Sequence, residues 1–371
     1  MKTCKLLPEI CKIQYGYPFD SSLFSESGNF PLIRIRDVRR GYTETYTSEC
    51  CSQEYIVNYG DILIGMDGEF NIAKWSSTQA YLNQRVCKLI PHSCIDKGYL
   101  FFFMPKALKE IEARTPFATV KHLSAKELNR ITVPFPKLEE QQRISFVLQS
   151  VVNIIELQKT QLQKIDQLAK SRFIEMFGNI AEKVPLSYYI SELRGGKSLA
   201  GDTECANKVL CTGSVSYDFF NGNDVKNLPT NYVPDALHKV NRGDILISRM
   251  NTVELVGAAA YVFDAPLNTY IPDRLWKVIV ADGNNPIFVW QVLIQPATKE
   301  KIRSKAGGTS GSMKNISKGN LLNIEVPQAN KALQNEFAAF IEQLDKSKFT
   351  IRKSLEKLET LYRALLQEYF D

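Results

Sequence analysis

The chain contains two copies of one sequence pattern, and this internal repeat constrains its fold more than any other feature. Residues 57–64 recur at residues 240–247 with seven of eight positions identical, and residues 121–124 have a counterpart at 314–317. Each half then continues through a Val-Pro pair into a long helical pattern, 193 positions apart in the two halves. The repeat predicts two copies of one globular-plus-helix unit. Such pseudo-symmetry suits a two-part target or two identical partners.

Length, composition and charge fit two ordinary globular domains. At 371 residues the chain is long for a single core, and its 44% hydrophobic and 23% charged residues argue against disorder. The net charge of +6 is compatible with a nucleic-acid partner without requiring one. Eight cysteines and three histidines lack zinc-ligand spacing, so we predict no metal, no cofactor and free thiols in a reducing cytoplasm. Neither a signal peptide nor a membrane span is expected.

The order of β-rich runs, turn residues and helical patterns predicts a mixed α/β (α+β) fold. We expect two pseudo-repeated α/β domains at residues 1–135 and 181–328. Two long helices, at residues 136–180 and 329–371, separate and follow them. Because a globular domain lies between the helices in sequence, an antiparallel coiled coil is their simplest arrangement. The alternative is that each helix packs only on its own domain.

Apolar spacing gives these expectations more detail. Leu344 to Tyr369 carry apolar residues at steps of three and four, which is typical of a heptad seam. The matching seam positions in the two helices are Leu162, Ile165 and Leu168, and Leu355, Leu358 and Leu361. Within the domains we expect a strand beginning at residue 32 and single helices over residues 98–113 and 286–305.

Sequence motifs of catalysis are missing. The glycine-rich stretch 306–312 lacks the Gly-Lys-Ser/Thr ending of a phosphate-binding loop. Residues 285–288 read Asn-Pro-Ile-Phe, which is similar to the catalytic tetrapeptide of amino-methyltransferases but lacks its second proline and any accompanying glycine-rich cofactor loop. No nucleophile elbow and no carboxylate pair at catalytic spacing stand out. We therefore predict a binding protein with no catalytic residues.

The repeated strings resemble those of type I restriction-modification specificity subunits, and the resemblance covers essentially the whole chain. They are residues 59–64 and 133–144 in the first half, and residues 242–250 with Val326-Pro327 in the second. The start of the second long helix departs from the pattern, because Gln334-Asn335 stands where the first half has Gln141-Gln142.

This resemblance implies two target recognition domains that each read one half of a bipartite double-stranded DNA sequence. It also implies that the paired helices set the spacer between the half-sites and dock two methyltransferase subunits. Restriction and translocase activity would belong to further subunits of the complex. An alternative interpretation is a coiled-coil structural adaptor whose globular domains bind protein.

Three groups of residues are candidates for DNA contact, since recognition needs phosphate anchors and side chains that reach base edges. The first group surrounds a turn in domain 1, with two arginines expected on one strand face and two in the following loop. Its members are Arg34, Arg36, Arg39, Arg40 and Tyr42. The alternative is a solvated basic edge.

The second group lies in the loops that follow the repeated strand. It consists of Asp67, Glu69 and Asn71 in the first half and Arg249 and Asn251 in the second. One scaffold with different loop chemistry is what two readers of different half-sites need. The alternative is ordinary divergence of loops between old duplicates.

The third group precedes the Val-Pro pair of each half. It consists of Arg114, Lys121 and His122 in the first half, and Lys305, Gly308, Thr309, Ser310 and Lys314 in the second. Glycines allow close approach of a backbone to a phosphate, and the polar side chains can donate to it. The alternatives are a flexible domain-edge loop and, for His122, a local cap.

Overall fold

The structure is a computed structural model that describes residues 3–114, 121–308 and 313–371. Short strands alternate with helices in both halves, which confirms the predicted mixed α/β class. Across the described residues, no helix is long and apolar enough to cross a membrane.

The described residues form two compact units, and each unit draws on distant parts of the chain. Unit 1 is built from the described part of residues 1–159 together with residues 353–371. Unit 2 comprises the described part of residues 160–352. Each unit therefore holds one globular domain together with a segment from each of two long helices.

Domain 1 combines short strands with four helices. Its strands are Cys4–Leu6, Cys11–Tyr15, Phe24–Ser25, Phe30–Ile33, Tyr46–Thr47, Ile56–Val57, Ile62–Gly65, Ile72–Lys74, Ala80–Leu82, Val86–Pro91 and Thr132–Pro134. Its α-helices are Leu7–Ile10, Ile35–Arg40, Lys97–Arg114 and Ala125–Asn129, and its 3₁₀ turns are Ser21–Leu23 and Gln53–Tyr55.

Domain 2 follows the same plan. Its strands are Lys183–Pro185, Ile190–Gly195, Lys208–Leu210, Val225–Asn227, Ile245–Ser248, Met250–Asn251, Ala259–Tyr261, Thr269–Tyr270, Leu275–Val280, Lys314–Asn315 and Glu325–Pro327. Its α-helices are Pro286–Ile294, Pro296–Lys305 and Lys318–Leu322, and its 3₁₀ turns are Leu186–Tyr188, Thr212–Asp218 and Ala236–His238.

The same four-stranded antiparallel sheet forms the centre of both domains. Its order in domain 1 is Cys11–Tyr15, Val86–Pro91, Ile62–Gly65 and Ile72–Lys74, and in domain 2 it is Ile190–Gly195, Leu275–Val280, Ile245–Ser248 and Ala259–Tyr261. The register is also shared, because Val86 lies opposite Gly65 and Leu275 lies opposite Ser248. Positions in the other three strands can therefore be matched one to one, whereas the edge strand Ile190–Gly195 has a register shift between Ile190 and Glu192 that Cys11–Tyr15 lacks.

The repeated Gly-Asp pair has a structural role before this sheet. Gly60 and Gly243 have φ angles of 81° and 93°, a left-handed conformation that favours glycine. Asp61 and Asp244 each accept a hydrogen bond from the backbone N–H of the asparagine three residues earlier, at 2.9 and 2.8 Å. The pair closes the tight turn that leads into the buried strand.

A buried lysine in each domain explains why the aspartate of this turn recurs. Lys88 Nζ lies 3.6 Å from the Asp61 carboxylate, and Lys277 Nζ lies 2.7 Å from the Asp244 carboxylate. Both ammonium groups also donate to a backbone carbonyl, at 2.6 and 2.5 Å. Since a buried charge needs a partner, the aspartate and the lysine depend on each other.

Two expectations about local structure are wrong. The strand predicted to continue from residue 32 ends at Ile33, and a helix, Ile35–Arg40, follows it. The Asp37 carboxylate accepts a hydrogen bond from the Arg34 backbone N–H at 2.9 Å, which caps the first turn. Gly41, at φ 77°, ends the helix. Arg34 therefore caps a helix, and the other three arginines lie on it.

The helix predicted over residues 286–305 is broken in two at Gln295. This residue is extended, at φ −62° and ψ 140°, because Pro296 disfavours a helical conformation in the residue before it. The helix predicted over residues 98–113 is confirmed as Lys97–Arg114.

The long helices are Leu138–Phe177 and Lys331–Phe370, each with 40 residues and about 60 Å long. They pack antiparallel: in unit 1 Leu148 shares a core with Phe370 while Gln158, further along, contacts Ser354, and in unit 2 the partner numbers fall from 348 to 336 as the first helix runs from 166 to 172. The polar contacts are Gln158 to Ser354 at 2.9 Å and Lys159 to Glu359 at 3.9 Å in unit 1, and Asp166 to Lys348 and Arg172 to Glu336 at 3.0 Å in unit 2. The predicted antiparallel pairing is confirmed.

Two residues of the predicted seam face outward instead. Leu168 and Leu361 are 49% and 47% exposed. The other matched positions are half-buried, namely Leu162, Ile165, Leu355 and Leu358. The two exposed leucines occupy the same place in the repeat, 193 positions apart.

Each long helix begins with a buried glutamine. Gln141 accepts a hydrogen bond from the Asp96 backbone N–H at 2.8 Å, and Gln334 accepts one from the Asn285 N–H at 2.9 Å. Both side chains also donate to a carbonyl five residues earlier, at 2.9 and 2.8 Å. Despite its changed neighbour Asn335, the second helix keeps this link to its own domain.

Each long helix ends with a buried phenylalanine. The Phe177 ring lies 5.0 Å from that of Phe288 in the core of unit 2. Its repeat equivalent, Phe370, lies 5.2 Å from Tyr99 and 5.7 Å from Phe103 in the core of unit 1. The helix that starts at one domain therefore ends in the core of the other unit.

Candidate nucleic-acid interface

The loop after the repeated strand is the centre of the candidate surface in domain 1. The Gly68 N–H donates to the Lys121 carbonyl at 2.9 Å, and the Leu123 N–H donates to the Met66 carbonyl at 2.7 Å. These bonds hold residues 121–123 against residues 66–68. Two groups that are separate in sequence, the strand loop and the segment before the Val-Pro pair, thus form one surface.

Asp67 organises this surface from within. Its carboxylate accepts a hydrogen bond from His122 Nδ1 at 2.6 Å and lies 3.4 Å from Arg85 Nε. Because both contacts use its oxygens, Asp67 holds two donor-bearing side chains in place. His122 is half exposed and contacts Asp67 across the two loops, so it is more than the local cap that the sequence left open.

The arginine helix adjoins the same loop through one residue. Arg39 Nη1 lies 3.9 Å from the Glu69 carboxylate, and both side chains are largely exposed. Arg40 and Tyr42 are also exposed. The pair of Arg39 and Glu69 is a surface ion pair, which contributes little to stability and leaves both groups accessible to a ligand.

The remaining arginines of the first group are engaged elsewhere. Arg36 donates to Thr45 Oγ1 at 3.3 Å. The Arg34 guanidinium lies 5.9 Å from the centroid of the Phe24 ring. The structure therefore does not bring Arg34 and Arg36 to the strand loop, in contrast to Arg39.

Three further candidates in domain 1 have local partners. Asn71 donates to the Glu69 carbonyl at 3.3 Å, and its buried Oδ1 lacks a partner among the described residues. Lys121 Nζ donates to the Glu112 carbonyl at 2.7 Å. Arg114 pairs with Glu127 at 3.1 Å. Lys121 and Arg114 thus lie at the end of the helix Lys97–Arg114.

Domain 2 gathers the equivalent segments through a short strand pair. Met250 and Asn251 pair antiparallel with Asn315 and Lys314. The Ile316 N–H also donates to the Arg249 carbonyl at 3.0 Å. The loop after the strand and the segment before the Val-Pro pair meet here as they do in domain 1.

Arg249 and Asn251 are held differently. The Arg249 guanidinium lies 5.6 Å from the centroid of the Trp276 ring, and its buried Nε lacks a partner among the described residues. Asn251 accepts a hydrogen bond from the Thr252 N–H at 2.9 Å. An arginine resting on an aromatic face is preorganised, which reduces the entropy lost when it binds a planar acceptor.

The glycine-rich segment lies beside this strand pair. Gly307 exchanges two backbone hydrogen bonds with Asn315, at 3.0 and 2.8 Å. A Cβ on Gly308 would lie 2.4 Å from the Met313 carbonyl oxygen, so the close backbone approach requires glycine. Lys305 ends the preceding helix. Thr309 and Ser310 lie outside the described residues.

A turn in domain 2 occupies the place of the arginine helix. The strands Phe30–Ile33 and Lys208–Leu210 each pair in parallel with an equivalent strand and lead into these elements. Both elements pack on the same two strands of the sheet, Ile62–Gly65 and Ile72–Lys74 in domain 1 and Ile245–Ser248 and Ala259–Tyr261 in domain 2. The turn Thr212–Asp218 carries none of the arginines.

Sequence reasoning missed two arginines at the centre of the surface. The Met66 N–H donates to the Arg85 carbonyl at 3.0 Å, and the Arg249 N–H donates to the Arg274 carbonyl, also at 3.0 Å. A signal was present, because both arginines stand three residues before the buried lysine of their domain.

The thiols and metal-binding side chains offer no further site. No disulfide forms among the cysteines of the described residues, and burial raises the pKa of Cys11 and Cys87 to about 12, so both thiols stay protonated at neutral pH. Within residues 3–114, 121–308 and 313–371, no cluster of three or more His, Cys, Asp or Glu side chains is arranged to hold a metal ion.

A family model described as the type I restriction modification DNA specificity domain matches residues 3–167 and 192–360. The chain is 38% identical over 166 residues to the type I restriction enzyme EcoBI specificity subunit of Escherichia coli, a match that spans 44% of this chain and 35% of that subunit. It is 23% identical over 374 residues to the MjaVIII specificity subunit of Methanocaldococcus jannaschii, which spans 91% of this chain and 84% of that subunit.

Solved structures share the fold. The S subunit of a type I restriction-modification system from M. genitalium has a TM-score of 0.63 at 14% identity, covering 100% of this chain and 96% of that one. A chain from a study of complex assembly and conformational transition of the type I R-M system has a TM-score of 0.53 at 17% identity, covering 99% and 97%. These comparisons favour a DNA-specificity protein over a structural adaptor. Because the family model matches both domains and most of both helices, the chain belongs to the type I restriction-modification DNA specificity family.

Proposed function

We propose that this chain is the non-catalytic specificity subunit of a type I restriction-modification complex in the cytoplasm, with residues 1–135 and 181–328 as its recognition domains. Each domain reads one half of a bipartite DNA target. The long helices set the spacer between the half-sites and hold two methyltransferase subunits, and restriction subunits join through the complex.

One observation carries this proposal: equivalent loops on one scaffold present different chemistry. The backbone bonds of Met66 and Arg249 are the same, but Asp67 and Glu69 follow in domain 1, whereas Asn251 follows in domain 2. Acidic side chains can accept from cytosine N4, whereas arginine and asparagine pair with guanine and adenine edges in the major groove. Two different half-sites require this kind of difference.

We assign roles within these surfaces by exposure and contact. In domain 1 the proposed DNA-contacting residues are Arg39, Arg40, Tyr42, Glu69, Asn71 and His122, and in domain 2 they are Arg249, Asn251, Gly308 and Lys314. Asp67 is proposed as a positioning residue for His122. Arg34, Arg36, Arg114, Lys121 and Lys305 have local contacts, so phosphate contacts at the rim suit them better than base contacts.

The methyltransferase docking sites are proposed from a repeated outer stripe. Three exposed side chains in the first helix have identical, equally exposed counterparts in the second: Lys164, Leu168 and Glu175 correspond to Lys357, Leu361 and Glu368. Steps of four and seven residues put each set on one helix face. An exposed leucine between opposite charges, present once in each unit, suits two copies of one helical partner.

The proposed function is tested with the chain purified together with its methyltransferase. We expect binding to duplex DNA that depends on sequence and falls steeply with salt. Replacing Arg249 and Asn251 by Ala should relax one half-site by about 1–3 kcal/mol for each lost base contact and leave the other half-site unchanged. No affinity for DNA would favour the adaptor instead.

Docking is tested by Leu168→Asp and Leu361→Asp, made separately. Each variant should lose one of two methyltransferase copies, measured as the mass of the intact complex by native mass spectrometry. Gln163→Asp is the control, because this exposed residue lies five positions earlier and about 140° around the helix. Retention of both copies in either leucine variant would contradict the assignment.

The spacer is tested by a paired insertion. Four residues added after Gln158 and four after Lys353 lengthen both helices by about 6 Å, close to two base pairs of rise. Because Gln158 contacts Ser354, paired insertion preserves the helix register on either side of the added turn. The methylated motif should keep its half-sites and gain a longer spacer. An unchanged spacer in an active complex would show that the helices do not set it.

A further inference from the structure

Arg85 and Arg274 occupy the same position in the two domains, directly before the central strand of the sheet. We infer that they are equivalent phosphate anchors, one for each half-site, which grip the DNA backbone without reading its bases. This inference rests on the proposed function, since it names how both recognition domains hold their DNA.

The backbone links each arginine to the loop that differs between the domains. The first loop residue, Met66 or Arg249, donates its N–H to the arginine carbonyl at 3.0 Å in both cases. The strand register around these bonds is identical. A DNA contact made by the arginine therefore positions the start of the neighbouring loop by the same geometry in both domains.

Both side chains are accessible. Arg85 is 54% exposed, and Asp67 approaches it at Nε, which leaves the four N–H groups on the two terminal nitrogens for another acceptor. Arg274 is exposed, and no carboxylate of the described residues lies within 4 Å of its side-chain nitrogens. Each guanidinium therefore has donors directed by the scaffold and free for a ligand.

The contrast with the loops indicates what that ligand is. Side chains that follow Met66 and Arg249 differ between the domains, as readers of different bases must. An arginine that both domains keep at one position suits a group that both half-sites share. The phosphodiester is that group, and a guanidinium fork binds its oxygens through two parallel hydrogen bonds.

The test compares Arg85→Ala and Arg274→Ala in the methyltransferase complex. Arg242→Ala is the control for the loss of an exposed arginine, because Arg242 precedes the strand Ile245–Ser248 at the end away from Arg274. Arg85→Lys and Arg274→Lys keep the charge. Affinity is measured across a salt series on duplexes with matched and mismatched half-sites, and the methylated motif is sequenced. The loop bond uses the backbone, so alanine should not unfold the loop.

Each alanine variant should bind all duplexes several-fold more weakly and lower the slope of log K against log salt by about one, with the motif unchanged. The lysine variants should keep the slope, and Arg242→Ala should match the unsubstituted complex. Relaxation at one base position would identify a base reader and overturn the inference, as would an unchanged salt slope. Absence of sequence-dependent binding in the unsubstituted complex would overturn the proposed function as well.

Discussion

The helix Ile35–Arg40 and the turn Thr212–Asp218 follow equivalent strands, yet they present opposite chemistry. The helix displays the exposed side chains of Arg36, Arg39 and Arg40, of which Arg39 adjoins the strand loop. The turn displays Tyr217, which is 82% exposed on a backbone with φ 59°. The difference shows that the domains share the buried turn and sheet while this outer element differs between them. It also suggests that domain 1 binds DNA with a larger electrostatic contribution.

The two elements also reach their shared backbone conformation differently. Gly41 adopts φ 77° without a steric penalty, whereas Asp218 adopts φ 63° with a side chain. Asp218 is stabilised there by Lys299 Nζ at 2.6 Å and by the Ala259 N–H at 3.1 Å. The helix thus ends on a glycine, whereas the positive φ of Asp218 is accompanied by a specific ion pair.

The largest effect should come from the helix ends, where the two units are most alike. Phe177→Ala and Phe370→Ala should each reduce the free energy of unfolding by about 3–5 kcal/mol, because each removes a buried ring from an aromatic cluster. Hydrogen exchange should rise in unit 2 for the first variant and in unit 1 for the second. Leu168→Ala and Leu361→Ala are exposed controls, expected within about 0.5 kcal/mol. Equal changes of hydrogen exchange in both units would contradict the expectation that each phenylalanine stabilises only the unit whose core it enters.

The next largest effect concerns the buried lysines, because loss of the aspartate partner should destabilise the two domains by different amounts. Asp244→Ala should destabilise domain 2 by about 3 kcal/mol, because it leaves Lys277 buried without its carboxylate. Asp61→Ala should cost less, since Lys88 lies 3.6 Å from Asp61 and Lys277 lies 2.7 Å from Asp244. Urea denaturation measures both. A larger loss for Asp61→Ala would show that these distances do not rank the two pairs.

A smaller effect is expected at the end of the arginine helix. Gly41→Ala should cost about 1–2 kcal/mol, since φ is positive and the new Cβ would lie 2.2 Å from Ser76 Oγ. Asp218→Gly should be closer to neutral, because it removes backbone strain together with the Lys299 pair. Thermal unfolding of the two variants provides the measurement, and equal destabilisation would show that loss of the Lys299 pair outweighs the relief of backbone strain at Asp218.

The smallest effect concerns the salt dependence of binding. Arg40→Ala should lower the salt slope by about one if the side chain contacts a phosphate. Tyr217→Ala, in the turn that takes the place of the arginine helix, should leave that slope unchanged, because it removes no charge. Fluorescence anisotropy over a salt series can distinguish the two. A shallower slope for Tyr217→Ala would contradict the proposed difference between the domains.

Much of this architecture was predictable because repeated residues carry it. The Gly-Asp turn recurs 183 positions later, and the Val-Pro pair and the apolar steps of the long helices recur 193 positions later. The structure confirms the two-domain α/β fold and the antiparallel helices. The break at Gln295 was also visible in principle, since Pro296 follows it. The seam assignment of Leu168 and Leu361 failed because leucine alone does not distinguish a buried face from an exposed one.

The candidate surface was harder to predict. An apolar run ending in Arg34 looks like a strand, and the capping carboxylate of Asp37 decides otherwise. The pairing of His122 with Asp67 joins residues 55 positions apart, which no local pattern encodes. Arg85 and Arg274 escaped notice because an isolated arginine carries no signal until the strand register shows that the two are equivalent.

The burial of Phe370 among Tyr99 and Phe103 has a consequence for protein synthesis. The ribosome synthesises Tyr99 and Phe103 about 270 residues before Phe370. At roughly 5–20 residues per second, the delay is on the order of tens of seconds. Phe177 precedes its partners Phe288 and Phe337, so the aromatic cluster of unit 2 is complete once residue 337 emerges. The domain translated first is therefore the last to receive its complete aromatic cluster.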